Sequence, residues 1–304
     1  MNQTVYVTGG SGLLALNWAI AIRQHCRVVL GLHNRLVSLS GVEVRPASLT
    51  SVSRISQQLD DAGAELVVHT AGLTSVEACE ADPDLAHSLN VELAEKVGQA
   101  CSKLGIPLVH ISTDHLFSGN VPLADESEPT KPVNVYGRTK AEAELRVLNA
   151  HPGALVVRTN FFGWGPRYRR SFSDTILASL RSGETINLFQ DVFYTPIIIE
   201  DLAHAVHGLL ERKMSGVFNV TGDARISKCD FGYMIARHFM LDPSPISPGT
   251  LAEKKGLVRR PTDMSLSNAK VASVLGRKIG GPDDHLARLR EQEDRGVAAE
   301  MQNL

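Results

Sequence analysis

The chain has 304 residues, 43% of them hydrophobic and 21% charged, with a formal net charge of -2. That length is enough for a sizeable core, the composition is that of an ordinary globular protein, and a charge so near zero gives no electrostatic reason to expect nucleic acid or an anionic membrane as partner. The N-terminus shows no basic stretch running into an apolar one, and no window reaches the ~18 uninterrupted apolar residues of a membrane helix, so a cytoplasmic location is expected.

In chain order, Thr4 to Thr8 (TVYVT) is a short β-rich run ending in a glycine-rich turn. A helix is predicted from Leu13 to about His25, then a strand over Arg27 to Leu32 and a weaker one over Val42 to Arg45. Ser51 to Ala62 carries helical spacing at Val52, Ile55 and Leu59. Glu65 to His69 and Pro107 to Ser112 are strands, separated by one long amphipathic helix over Asp84 to Leu104. A helix over Tyr136 to Asn149 and a strand over Leu155 to Thr159 complete the regular part. The strands are continuous apolar runs, as expected when both faces are covered in a parallel sheet. Their alternation with helices predicts an α/β fold, a Rossmann-type doubly wound parallel sheet binding its ligand at the carboxyl ends of the strands.

Past residue 160 the pattern loosens. Two Gly/Pro-rich stretches, Gly163 to Pro166 and Pro243 to Gly249, bracket segments assigned to a smaller C-terminal substrate lobe. Residues 1–160 with parts of 185–225 are assigned to dinucleotide binding, and the remaining parts of 161–304 to the lobe. The polar stretch Asp283 to Leu304 reads as a surface helix with a frayed tail. Cys26, Cys79, Cys101 and Cys229 form no CxxC pair and read as reduced thiols. No spacing of His, Cys, Asp or Glu suggests a metal site, and none is predicted.

The first strand ends in Thr8-Gly9-Gly10-Ser11-Gly12-Leu13-Leu14-Ala15. This strand–turn–helix setting is what a dinucleotide pyrophosphate needs. Gly9 makes the tight turn, Gly12 admits the phosphate to the backbone, and Ala15 allows close helix–strand packing. The free N–H groups of the helix start then face the anion. After the second strand stand His33-Asn34-Arg35, with no carboxylate to take a ribose hydroxyl and an arginine in reach of a 2′-phosphate. NADP(H) is therefore favoured over NAD(H). His69-Thr70-Ala71-Gly72 ends the fourth strand with small residues beside which a cofactor can pass.

Tyr136-Gly137-Arg138-Thr139-Lys140 places a phenol and an ammonium at i and i+4, on one face of a helix. A ketone that gains hydride needs a proton at its oxygen. A nearby cation favours phenolate and lowers the cost of giving that proton up. Ser112 and Thr113 end the fifth strand and offer a hydroxyl to polarise the carbonyl. Asn90, in the helix after the fourth strand, has no role that the sequence distinguishes from that of a polar helix residue.

Taken together, TGGSGLLA at 8–15, HTAGLTSVEACE at 69–80, STDHLFSG at 112–119, NVYGRTKAEAE at 134–144, RTNFFG at 158–163 and RRPTDMSLSNAKV at 259–271 resemble the extended short-chain dehydrogenase/reductases, and among them the dTDP-4-dehydrorhamnose reductase family. The resemblance implies reduction of a nucleotide-linked 4-keto-6-deoxy sugar by a catalytic trio of Thr113, Tyr136 and Lys140. It implies that Ser11, Gly12, Leu13 and Leu14 cradle the pyrophosphate and that Thr70, Ala71 and Gly72 line the cofactor, with Gly9, Asn34, Arg35, Tyr136 and Lys140 completing that set. On the substrate side it implies Thr74, His115, Phe117, Asn160, Phe161 and Arg260, with Phe162 and Trp164 in pocket or core. Departures from the family pattern are His115 for tyrosine, Asn160-Phe161 for serine–tryptophan, and Ser48 for an aspartate. Two other readings stay open on the same fold: a binding subunit resembling the regulatory subunit of methionine adenosyltransferase, and a nucleotide-sugar epimerase or dehydratase. A homodimer is the default assembly.

Overall fold

The computed structural model describes residues 3–254 and 256–304. Seven strands form one sheet: β1 (Thr4–Thr8), β2 (Arg27–Leu32), β3 (Glu43–Pro46), β4 (Leu66–His69), β5 (Leu108–Ile111), β6 (Leu155–Arg158) and an edge strand at Gly216–Asn219. Every pairing is parallel, in the order β3-β2-β1-β4-β5-β6 followed by the Gly216–Asn219 strand. The chain runs outward from β1 to β3, then returns to β4 and runs the other way. The β1/β4 boundary is therefore the switch point, where a crevice opens beyond the carboxyl ends of the strands. β1, β4, β5 and β6 are buried at every residue, as their apolar runs require.

The helices follow the sequence pattern with two exceptions. α1 (Leu13–Ile22) is apolar almost all round because Trp18, Leu16 and Ala19 are fully covered; it packs between the sheet and the helix at Ile199–Glu211. α2 (Val52–Asp61) is capped by Ser51, whose side chain accepts from Arg54 N–H. The helix expected over Asp84 to Leu104 is continuous from Pro83 but contains a π-helical turn, and a short helix that was not expected precedes it. A short α3 (Val76–Ala81) comes first, then α4 (Pro83–His87), a π-helical turn at Ser88–Glu92, and α5 (Leu93–Leu104). Pro83 cannot continue α3, so the chain breaks at Asp82, whose carboxylate caps α4 through Leu85 N–H. α6 (Val135–Ala150) starts at Asn134, whose side chain accepts from Gly137 N–H at 2.8 Å.

The remaining chain adds short two-stranded pairings: β7 (Phe161–Phe162) with Ile197–Ile198, Phe193–Tyr194 with Ile226–Ser227, and Ile186–Phe189 with Ile246–Gly249. The C-terminal stretch is not frayed. Helices at Pro282–Asp294 and Val297–Gln302 bury Leu286, Leu289 and Met301, and Trp164 Nε1 donates to Leu289 O at 3.1 Å. Apolar residues spaced one helical turn apart, not overall polarity, decide this packing. Among the described residues no helix is long and apolar enough to cross a membrane, and no group of three metal-ligating side chains occurs. The four cysteines are free.

Candidate active site

At the switch point lies a cleft of about 540 Å³. The β1–α1 turn (Gly9, Ser11, Gly12, Leu13, Leu14), the end of β4 (Thr70, Ala71, Gly72) and Ile111, Ser112, Tyr136 and Lys140 all line it. Gly9 has φ +68°, and a Cβ there would stand 2.9 Å from Ala71 Cα, so only glycine lets the two turns meet. The first turn of α1 has neither an acidic residue nor a side-chain cap, which leaves its N–H groups free to face an anion. Arg35 lines the cleft and, among the described residues, has no acidic partner; its guanidinium sits 3.9 Å over the Tyr168 ring. These features suit a dinucleotide phosphate. Asn34 is exposed and does not line the cleft.

Tyr168 and Arg169 line the cleft from a segment to which the sequence assigns no site residue. Tyr168 donates its hydroxyl to Ser11 O at 2.8 Å, and Arg169 donates to Thr74 Oγ1 at 2.6 Å, so the segment after β7 straps both sides of the cleft. They lie outside any motif, and only the run of arginines around Tyr168 hints at an anion nearby.

Tyr136 and Lys140 are both buried in the cleft wall. Burial pushes the Tyr136 phenol up to about 12, against a hydrogen bond with Thr113 that pulls the other way. Among the described residues the hydrogen bonds of the Lys140 ammonium go to groups other than the phenol. Lys140 Nζ reaches under the sheet edge, donating to Ile111 O at 2.7 Å and lying 3.4 Å from His110 Nε2. Burial brings it down to about 8, with Glu144 opposing. Thr113 Oγ1 donates to Asp114 Oδ1 and accepts from His115 N–H, each at 3.3 Å, while the buried Ser112 hydroxyl has no partner among the described residues and its residue lines the cleft. Asn90, on the π-helical turn, is 2% exposed. It accepts from Leu73 N–H at 2.7 Å and donates to Leu73 O and Thr139 Oγ1, each at 3.0 Å, tying the end of β4 to α6. A Cβ on Gly72 would strike its side-chain oxygen at 2.8 Å.

Behind Lys140, His110 stacks on His69 with ring centroids 5.5 Å apart, and His69 Nδ1 is 2.8 Å from Thr8 Oγ1. Burial, helped by the Lys140 charge, holds His69 down at about 3 and His110 well below its ordinary range. Both are neutral when folded and protonate more readily when unfolded. Their contribution is full above pH ~6.5 and is lost as pH falls below it. Stability is expected to drop between pH 7.5 and pH 5 by up to about 2 kcal/mol per histidine, read as a lower urea midpoint; an unchanged midpoint would contradict the buried neutral pair.

On the other side of Tyr136 lies a second cleft of about 160 Å³, lined by Val76, His115, Phe189, Val192, Lys228, Leu251, Arg260 and Met264. The His115 ring meets the Tyr136 ring edge-on at 5.5 Å, so the two clefts adjoin at the phenol. Arg260 pairs with Glu77 of α3. Thr74 and Phe161 line the larger cleft. Asn160 Nδ2 donates to Asp114, and Asn160 lines neither cleft. Phe117 is not brought to either cleft. It is buried in a small apolar cluster with Leu116, Ala124 and Leu266. Phe162 and Trp164 are core, packed edge-on against Phe231 and Phe239.

The strand order, the glycine turn at the switch point and the paired phenol and lysine in one wall define a doubly wound dinucleotide-binding protein of the short-chain dehydrogenase type. Within that class, the chain belongs to the RmlD substrate binding domain family, whose profile matches residues 3–292. It is 28% identical to the probable low-salt glycan biosynthesis reductase Agl14 of Haloferax volcanii, over 93% of this chain and 96% of that one. It is 26% identical to a dTDP-4-dehydrorhamnose reductase of Sinorhizobium fredii, over 93% and 95%. Its fold superposes with a TM-score of 0.84 on a dTDP-4-dehydrorhamnose reductase of Bacillus anthracis solved in complex with NADP, at 23% identity, covering 96% of this chain and all of that one.

Proposed function

We propose that the protein is an NADPH-dependent reductase of a nucleotide-linked 4-keto-6-deoxy sugar, acting at C4. The observation that carries this reading is the buried Tyr136 phenol at the junction of two clefts, one floored by the glycine turn and the other lined by His115 and Arg260. Residues 1–160 with the Gly216–Asn219 strand hold the dinucleotide, and most of the rest forms the sugar lobe. Bound NADPH supplies the hydride. Ser11 to Leu14 hold its pyrophosphate by backbone N–H groups, and Arg35 holds the 2′-phosphate. Lys140 sets the ribose and brings positive charge to the site. Thr113, or the unpartnered Ser112 hydroxyl beside it, donates to the carbonyl oxygen, and Tyr136 protonates that oxygen as charge develops. Asn90 keeps the end of β4 in place. The reaction is proposed for the cytoplasm, in a protein that works as a homodimer.

Mixing the protein with NADPH and dTDP-4-keto sugars should bleach the nicotinamide absorbance; no loss across a panel of such sugars would overturn the reading in favour of a partner-binding subunit. Arg35→Ala is expected to raise KM for NADPH about tenfold or more while leaving NADH unchanged, because one charge-assisted contact to phosphate is lost. Equal effects on the two cofactors would remove Arg35 from the 2′-phosphate.

A further inference from the structure

One buried row of side chains has no part in the reaction as described so far. Thr8, His69 and His110 stand opposite one another across β1, β4 and β5. Side chains alternate between the two faces of a sheet, so these three share the face of Tyr6, Val67 and Leu108, which α2, α5 and α6 cover. Apolar side chains would serve there if packing were the only demand. Two imidazoles stand there instead, each 1% exposed, with ring centroids 5.5 Å apart. An ammonium carries three donors. That of Lys140 spends one on Ile111 O at 2.7 Å and reaches His110 Nε2 with another at 3.4 Å. Lys140 also lines the larger cleft, so its third donor is free for what that cleft binds. Burial keeps both imidazoles neutral, which makes His110 an acceptor and not a second cation. An accepting Nε2 puts the ring proton on Nδ1, and His110 Nδ1 has no partner among the described residues. The fold thus tolerates an unpaired N–H in the core, a cost that packing alone does not explain. The other titratable groups around the ammonium are Tyr136 and Glu144, one turn to either side on α6, His69 on β4, Arg158 of β6 bonded to Glu144, and Cys79 and Asp114 beside Tyr136. Among the described residues, His110 alone of these is within hydrogen-bond distance of Lys140 Nζ.

We propose that His110 is a positioning residue for the reduction, a neutral imidazole whose Nε2, together with Ile111 O, fixes the Lys140 ammonium and keeps it charged. His69 backs the ring by stacking and is itself held by Thr8, the residue before Gly9, so the row runs from the glycine turn to the lysine. Without the acceptor the ammonium loses one of its two fixed contacts, and burial then favours the neutral amine. Burial already brings Lys140 down to about 8, so a further fall discharges it near neutral pH. That Lys140 takes part in reduction rests on the reductase reading. That His110 holds Lys140 does not, and the test separates the two.

The test is nuclear magnetic resonance on the full chain without ligands, followed by turnover. Long-range proton–nitrogen spectra of the native protein should show the His110 ring proton on Nδ1; a proton on Nε2 overturns the proposal without any variant. The Lys140 titration is then followed at its carbon-labelled Cε, the signal being assigned by its loss in Lys140→Arg. His110→Leu should lower the Lys140 midpoint by about one pH unit or more, the weight of a hydrogen bond to a charged group. His110→Gln, whose amide oxygen accepts in place of Nε2, should restore most of it. A midpoint unmoved by His110→Leu, or moved as far by His110→Gln, overturns the proposal. With NADPH and a keto sugar, the alkaline limb of kcat should move to lower pH in His110→Leu by the same amount. A limb that stays in place while the midpoint moves removes His110 from the reaction. If the native chain turns over no keto sugar, the reductase reading fails, and the spectra still decide whether His110 holds Lys140.

Discussion

Tyr136→Phe is expected to lower kcat by about 10²- to 10⁴-fold, the usual contribution of a positioned proton donor, while leaving the Kd for NADPH within about twofold. The ring is held by Val76, Cys79, Ala86 and Val135, and phenylalanine keeps those contacts. Only the hydroxyl leaves. Folding is therefore not at issue. Burial keeps the proton on the phenol through the neutral range, so the group is ready as a donor and not as a base. Stopped-flow decay of NADPH absorbance with saturating keto sugar measures the effect. Native turnover in the variant would move the proton donor elsewhere, and the Ser112 hydroxyl would be the first alternative to examine.

The second large effect concerns stability. Arg158, at the end of β6, and Glu144, on α6, are paired at 2.7 Å with side chains only 6% and 5% exposed. Arg158 donates through both Nε and Nη2, and its guanidinium also lies 5.5 Å from the Phe117 ring centroid. Arg158→Met leaves Glu144 buried without its cation. It is expected to destabilise the fold by about 3–5 kcal/mol, whereas Arg158→Met with Glu144→Leu should recover most of that loss. Denaturant unfolding of the two variants and the native chain closes the comparison. If the double variant is as unstable as the single one, the pair contributes through something other than its charges. Glu144 also supports the charge of Lys140, so the double variant should bind NADPH more weakly than its recovered stability would suggest.

The central architecture was legible because parallel strands buried on both faces leave continuous apolar runs. Thr4–Thr8, Arg27–Leu32 and Leu155–Arg158 match their expected positions to within a residue. The glycine turn was legible because the backbone there must come close to both Ala71 and an anion, and few side chains allow it. The Tyr136–Lys140 spacing was legible too, but its consequence was not. Where Lys140 Nζ points depends on Ile111 O and His110, two groups on a strand that meets α6 only in the folded chain. Tyr168, Arg169 and Lys228 were invisible for the same reason, since loops and short strands bring them back to the clefts. Phe117 was placed at the substrate by its position in a motif. In the fold it is the motif's apolar anchor.

The wide turn at Ser88–Glu92 has a bearing on how this region can change. It joins two helical segments with different obligations. Ala86 upstream packs under Tyr136, whereas Ala94, Val97 and Cys101 downstream face the sheet and α2. One residue more or fewer rotates one segment against the other by about 100°. Deleting a single residue would give a more regular helix, but the upstream contact and the downstream stripe could no longer both face inward. Length changes here are tolerable only in near-whole turns, so the π-helical turn works as a phase lock between the Tyr136 wall and the sheet.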